Sequence, residues 1–84
     1  MKFYYITFRS VTYAQRGEKV LSGANIRCTL LRTPKWMEEQ GCGYCIRLRR
    51  RDLETAVELL RRASVPFRKI YREGEQEGFE EVTL

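Results

Sequence analysis

Residues 3–8 read Phe3-Tyr4-Tyr5-Ile6-Thr7-Phe8 (FYYITF). An unbroken aromatic and β-branched run of this length predicts a strand. Apolar residues at both odd and even positions predict that both of its faces are covered, which places it inside a sheet and not at its edge. Downstream, the pattern changes to a helical one. Ser10 or Thr12 can cap a helix, and Tyr13, Ala14, Gly17, Val20 and Leu21 form one apolar stripe. Gly17 inside that stripe costs about 1 kcal/mol relative to Ala, so a close neighbour is expected there. Gly23 is placed to end the helix.

Two alternating stretches follow. Ile26–Arg32 puts Ile26, Cys28 and Leu30 on one face, and Gly43–Leu48 puts Ile46 and Leu48 on one face with Cys45 and Arg47 opposite. Asp52–Ala63 is the clearest helix. Its buried stripe is Leu53, Ala56, Val57, Leu60 and Ala63, with Asp52 and Glu54 at the positive end of its dipole and Arg61 and Arg62 at the negative end. Pro66 closes the connection to a fourth strand, Phe67–Tyr71. The order βαββαβ predicts an α+β, ferredoxin-like sandwich, a four-stranded antiparallel sheet with two helices on one face. Residues 1–72 form that single domain. Residues 73–84 form an acidic tail that can add an edge strand through Phe79, Val82 and Leu84.

The chain has 84 residues, a net charge of +5, three cysteines and no histidine. A domain of this size has a thin core and little room for a large enclosed pocket. Without histidine, Ser-His-Asp and Cys-His catalysis and histidine-based zinc sites are excluded within the chain. No apolar run approaches a membrane span. Met1-Lys2-Phe3-Tyr4-Tyr5 has no signal-peptide pattern, so the expected location is cytoplasmic, with mostly reduced cysteines. Charge is unevenly distributed. Residues 1–72 carry all sixteen Lys and Arg against six acids, a net +10, and residues 73–84 carry five acids and no base. The tail is either a solubilising segment or a cover for a basic face.

The segment joining the second and third strands is long for this architecture. It holds the single tryptophan, Trp36, and leads into Cys42-Gly43-Tyr44-Cys45. Cys42 lies between Gly41 and Gly43, where a turn of backbone N–H groups can hold an anion. Arg32, Lys35 and Arg47 are the basic residues expected to favour its thiolate, the nucleophilic and sulfur-accepting form. Cys42 and Cys45 make a C-x-x-C, but one that opens a strand and so lacks a helix dipole. No metal site is expected, since only Cys28, on the core face, is left to add. The arginines, including Arg47, Arg49, Arg50 and Arg51, would suit phosphate contacts. The strand from Gly43 lacks the Gly-aromatic-Gly-aromatic pattern of RNA-recognition sheets, which argues against nucleic acid as the partner.

Phe8-Arg9-Ser10 with Ala14 after the first strand, the loop with Pro34, Cys42-Gly43 entering a strand, and the Leu53–Leu60 helix together resemble the small bacterial and archaeal selenium/sulfur carrier protein-like domains (DUF3343), over roughly residues 3–72. The resemblance implies a carrier, more than a stand-alone enzyme, that holds sulfur or selenium as a persulfide-type adduct on Cys42, without a cofactor. It implies donor and acceptor proteins as partners. Two positions differ from the family pattern. Val11 stands where threonine is common, and Cys45 stands where an apolar residue is usual. The second difference gives Cys45 the role of a resolving thiol that attacks Cys42. A Cys42–Cys45 redox switch and a basic module that binds protein or nucleic acid are the alternatives. An aromatic open sheet face would be covered by a homodimer or by the tail.

Overall fold

The computed structural model describes residues 3–33, 43–73 and 79–83. In chain order the elements are β1 (Phe3–Phe8), α1 (Val11–Gly23), β2 (Cys28–Arg32), β3 (Tyr44–Arg49), a 3-10 turn (Arg50–Asp52), α2 (Leu53–Arg62), β4 (Ile70–Glu73) and β5 (Phe79–Val82). The sheet order is β2-β3-β1-β4-β5, and every neighbouring pair is antiparallel. The α+β, ferredoxin-like arrangement is present, with five strands in place of the expected four. FYYITF is internal, between β3 and β4, as its two apolar faces require.

Strand alternation divides the sheet into two faces. Tyr4, Ile6 and Phe8 face the helices with Ile46 and Leu48, and they pack there against Ala14, Leu21, Leu53, Ala56, Val57 and Leu60. All of these are buried. The other face has a smaller cluster, in which Tyr5 and Cys45 are buried and Phe3, Leu31 and Tyr71 pack around them. Gly17 is buried in α1, and a Cβ there would sit 3.1 Å from the Phe8 ring and 3.3 Å from Ile46 Cδ1. The absent side chain lets the helix lie directly on β1 and β3.

Ser10 is the cap of α1. Its backbone is extended and its Oγ accepts from the Tyr13 N–H at 3.2 Å. Gly23 does not supply the left-handed residue at the other end. It is the last helical residue, and Asn25, at φ 64°, reverses the chain. The N–H of Ile26 then reaches Leu21 O (2.9 Å) and that of Asn25 reaches Ser22 O (3.0 Å), the Schellman arrangement. Because Ile26 is used in this way, β2 begins at Cys28 and not at Ile26. Helix α2 ends identically. Ser64 has φ 58°, Val65 N–H reaches Leu60 O (2.9 Å), and Ser64 N–H reaches Arg61 O (3.1 Å). The expected start of α2, Asp52, belongs to the preceding 3-10 turn.

The fourth strand starts at Ile70 instead of Phe67. Arg68 and Lys69 both face Thr7, with Arg68 N–H donating to Thr7 O (2.7 Å) and Thr7 N–H to Lys69 O (2.8 Å). Lys69 N–H, which this extra residue would orphan, donates to Thr7 Oγ1 at 3.0 Å. The ladder is locally bulged and becomes regular only beyond it. Residues 79–82 extend the sheet sideways on β4 instead of lying across its face. Arg72 Nε donates to Glu80 Oε1 at 2.7 Å, and Lys69 pairs with Glu81 at 3.7 Å. No helix among the described residues is long and apolar enough to cross a membrane.

Candidate functional site

The hairpin of β2 and β3 carries the cysteine motif. Its register pairs Arg32 with Tyr44 and Leu31 with Cys45, and one step further Thr33 N–H donates to Gly43 O at 2.6 Å. That bond closes a neck below the intervening segment. Gly43 is buried and has φ 67°, a left-handed conformation that side-chain-bearing residues adopt only at a cost. The sequence makes the residue immediately after Cys42 a glycine, and the backbone at that position favours one. Cys42, Gly41 and Lys35 lie outside the described residues, as does Trp36.

The remaining predicted site residues are spread over both faces. Arg32 belongs to the helix side, where its guanidinium lies over the Tyr44 ring, 5.5 Å from the centroid. Arg47 is on the opposite face. Its guanidinium lies 4.6 Å from the centroid of the Phe3 ring, and its charge works against the burial that raises the Tyr5 hydroxyl pKa. Four residues of extended chain, about 13 Å, separate Arg47 from Gly43. The structure therefore sets Arg32 and Arg47 apart, on opposite faces of the sheet.

Cys45 shares the Arg47 face and has no solvent-exposed surface. Burial pushes its thiol pKa up, against smaller lowering contributions from the Thr33 hydroxyl and from Arg47. Thr33 Oγ1 is itself buried and makes no hydrogen bond of good geometry among the described residues. Cys28 is half-buried against the main core, and burial raises its pKa as well. Neither described cysteine is a ready thiolate. Thr33 is a site residue that the motif does not reveal. The available signal was register, since continuing the β2–β3 pairing beyond Arg32–Tyr44 puts Thr33 opposite Gly43.

No curated protein and no solved structure matches the chain. A family model does. Residues 3–72, which run from the first residue of β1 to within one residue of the end of β4 and include the whole neck and its cysteine motif, match the family described as "Putative Se/S carrier protein-like", and the chain belongs to that family.

Proposed function

We propose that this protein carries sulfur or selenium on Cys42. The family match over residues 3–72 carries the reading. The neck supports it, because a left-handed Gly43 bonded to Thr33 fixes the backbone on the C-terminal side of Cys42. In the transfer, the Cys42 thiolate attacks the outer sulfur of a donor persulfide. A bond forms between Cys42 Sγ and that sulfur, the donor's S–S bond breaks, and the donor leaves as a thiolate. The transferred atom is zero-valent, so no external oxidant or reductant is needed. A selenium atom held the same way on a donor cysteine would transfer by the same exchange. An acceptor thiolate then removes the atom by a second exchange and regenerates Cys42. The partners are therefore donor and acceptor proteins.

Cys45 is not required for this cycle. A resolving attack by Cys45 would release the atom as hydrosulfide or hydroselenide and leave a Cys42–Cys45 disulfide. Its burial and raised pKa oppose a fast step of that kind.

Intact mass spectrometry tests the reading. The reduced chain, incubated with glutathione persulfide, gains one sulfur atom that dithiothreitol removes. Cys42→Ser abolishes the gain, because a serine hydroxyl has no accessible anion near neutral pH. Cys28→Ser and Cys45→Ser retain it, with slower loss from the second if Cys45 resolves the adduct. A label on Cys45, or no label beside a readily formed disulfide, would replace the carrier by a dithiol switch.

A further inference from the structure

At the end of the β2–β3 hairpin farthest from the neck, a cleft of about 190 Å³ is lined by Phe3, Cys28, Thr29 and three arginines, Arg27, Arg47 and Arg49. The strand register accounts for the grouping. Thr29 pairs with Arg47, Cys28 with Leu48, and Phe3 with Arg49. Continuing β2 one step places Arg27 opposite Arg49, on the same face as Arg47. Like charges directly opposed across an antiparallel pair repel, and a third charge two residues along adds to that repulsion. No carboxylate lines this cleft, and among the described residues none of the three arginines forms an ion pair.

Of the described acids of the tail, Glu73 lies beside the cleft, its Oε1 accepting from the Phe3 N–H at 2.9 Å, and the other two lie on the far edge of the sheet. Glu80 and Glu81 sit on β5 and pair with Arg72 and Lys69, so the acidic residues neutralise the β4–β5 side. At the opposite edge of the sheet three arginines stand against one nearby carboxylate, that of Glu73, which forms no salt bridge with them among the described residues. Arg47 is also stacked on Phe3, 4.6 Å from the ring centroid. A guanidinium stacked on Phe3, with two more on the same sheet face lining the same cleft, supplies the planar forks that suit a tetrahedral oxyanion of charge near −2.

We propose that the Arg27–Arg47–Arg49 cleft binds the phosphate group of a small phosphorylated molecule. The volume is that of a compact head group, and Phe3 gives the cleft one apolar wall. This site is separate from Cys42 and does not depend on the carrier reading. Phosphates of a nucleic-acid backbone offer the same charge, but they would need a track of contacts longer than this cleft.

The test uses the full reduced chain, labelled with ¹⁵N and titrated with sodium pyrophosphate while sodium chloride holds the ionic strength constant. Saturable shifts are expected on the amides of residues 27–29 and 47–49 and on the arginine Nε–H resonances of the cleft. Arg27→Gln and Arg49→Gln should each weaken binding about tenfold. Arg61→Gln, on α2, should leave it unchanged. Shifts that fail to saturate, or an equal loss with Arg61→Gln, would show a diffuse basic surface and overturn the site. A run of thymidine oligonucleotides binding more tightly with each added nucleotide, with shifts along the whole β2–β3 face, would overturn the small-molecule assignment in favour of a nucleic acid.

Discussion

Gly43→Ala tests the neck directly. Gly43 has φ 67°, and a Cβ in that region costs about 1–2 kcal/mol. The chain can avoid this cost by leaving the left-handed region, but it then gives up the 2.6 Å bond from Thr33 N–H, worth about 0.5–1.5 kcal/mol, and partly exposes a buried hydroxyl and thiol. The two routes are similar in cost, so a loss of about 1–2 kcal/mol is expected whichever the chain takes. For a domain of this size that lowers Tm by about 4–15 °C. Hydrogen exchange separates the routes. If the neck opens, the Thr33 amide exchanges about five- to thirty-fold faster while Ile6 and Ile46 change only with the global stability. Sulfur uptake at Cys42, followed by intact mass, should slow in parallel. Gly43→Asn should recover most of the loss, because asparagine tolerates the left-handed region. Gly23→Ala is the control, since a Cβ there meets nothing within 4 Å and the residue is helical. A Gly43→Ala chain with unchanged Tm and an unchanged Thr33 amide would refute the idea that backbone conformation favours this glycine.

Gly17→Ala should gain about 1 kcal/mol of helix propensity and lose about 1–3 kcal/mol by overpacking against Phe8 and Ile46, both buried, so urea denaturation should show a neutral to destabilised chain. A gain near 1 kcal/mol would mean that the helix lifts off the sheet at no cost. Ser64→Gly should stabilise by a few tenths to about 1 kcal/mol, as relief of φ 58° outweighs the added freedom of the unfolded chain, and a lower denaturation midpoint would contradict this. Stability should fall in alkali. Burial raises the pKa values of Cys45, Cys28 and Tyr5 in the folded state, so their contribution is complete below the unfolded thiol pKa, about 8.5–9, and is lost as pH rises from there through the raised folded values. Urea midpoints at pH 7.5, 9 and 10 should decline, less steeply in Cys45→Ala, and a flat profile would rule out a folded-state shift.

The sequence by itself determined the fold class and the main core. Two-residue alternation and a 3.6-residue stripe are local properties, and they sufficed to place Ile46 and Leu48 on one face and Leu53, Ala56, Val57 and Leu60 against it. They also showed that FYYITF lies inside the sheet and that something presses on Gly17. Where two segments meet could not be read locally. The bulge at Thr7 delays the fourth strand because Arg68 and Lys69 must both be accommodated by one residue sixty positions earlier. Asn25 rather than Gly23 turns the chain after α1, since the hydrogen bonds of Ile26 fix which residue takes the left-handed conformation.

For the site, sequence spacing singled out Cys42 and its glycines, and only pairing gave one of those glycines, Gly43, a physical reason. Pairing also sent Arg32 and Arg47 to opposite faces, because strand parity assigns a side and nearness in sequence does not. It buried Cys45, a residue that the C-x-x-C spacing alone presents as the equal of Cys42. The three-arginine cleft arises in the same way, from residues 27, 47 and 49, which become neighbours only when an antiparallel register brings distant charges to one end of a hairpin.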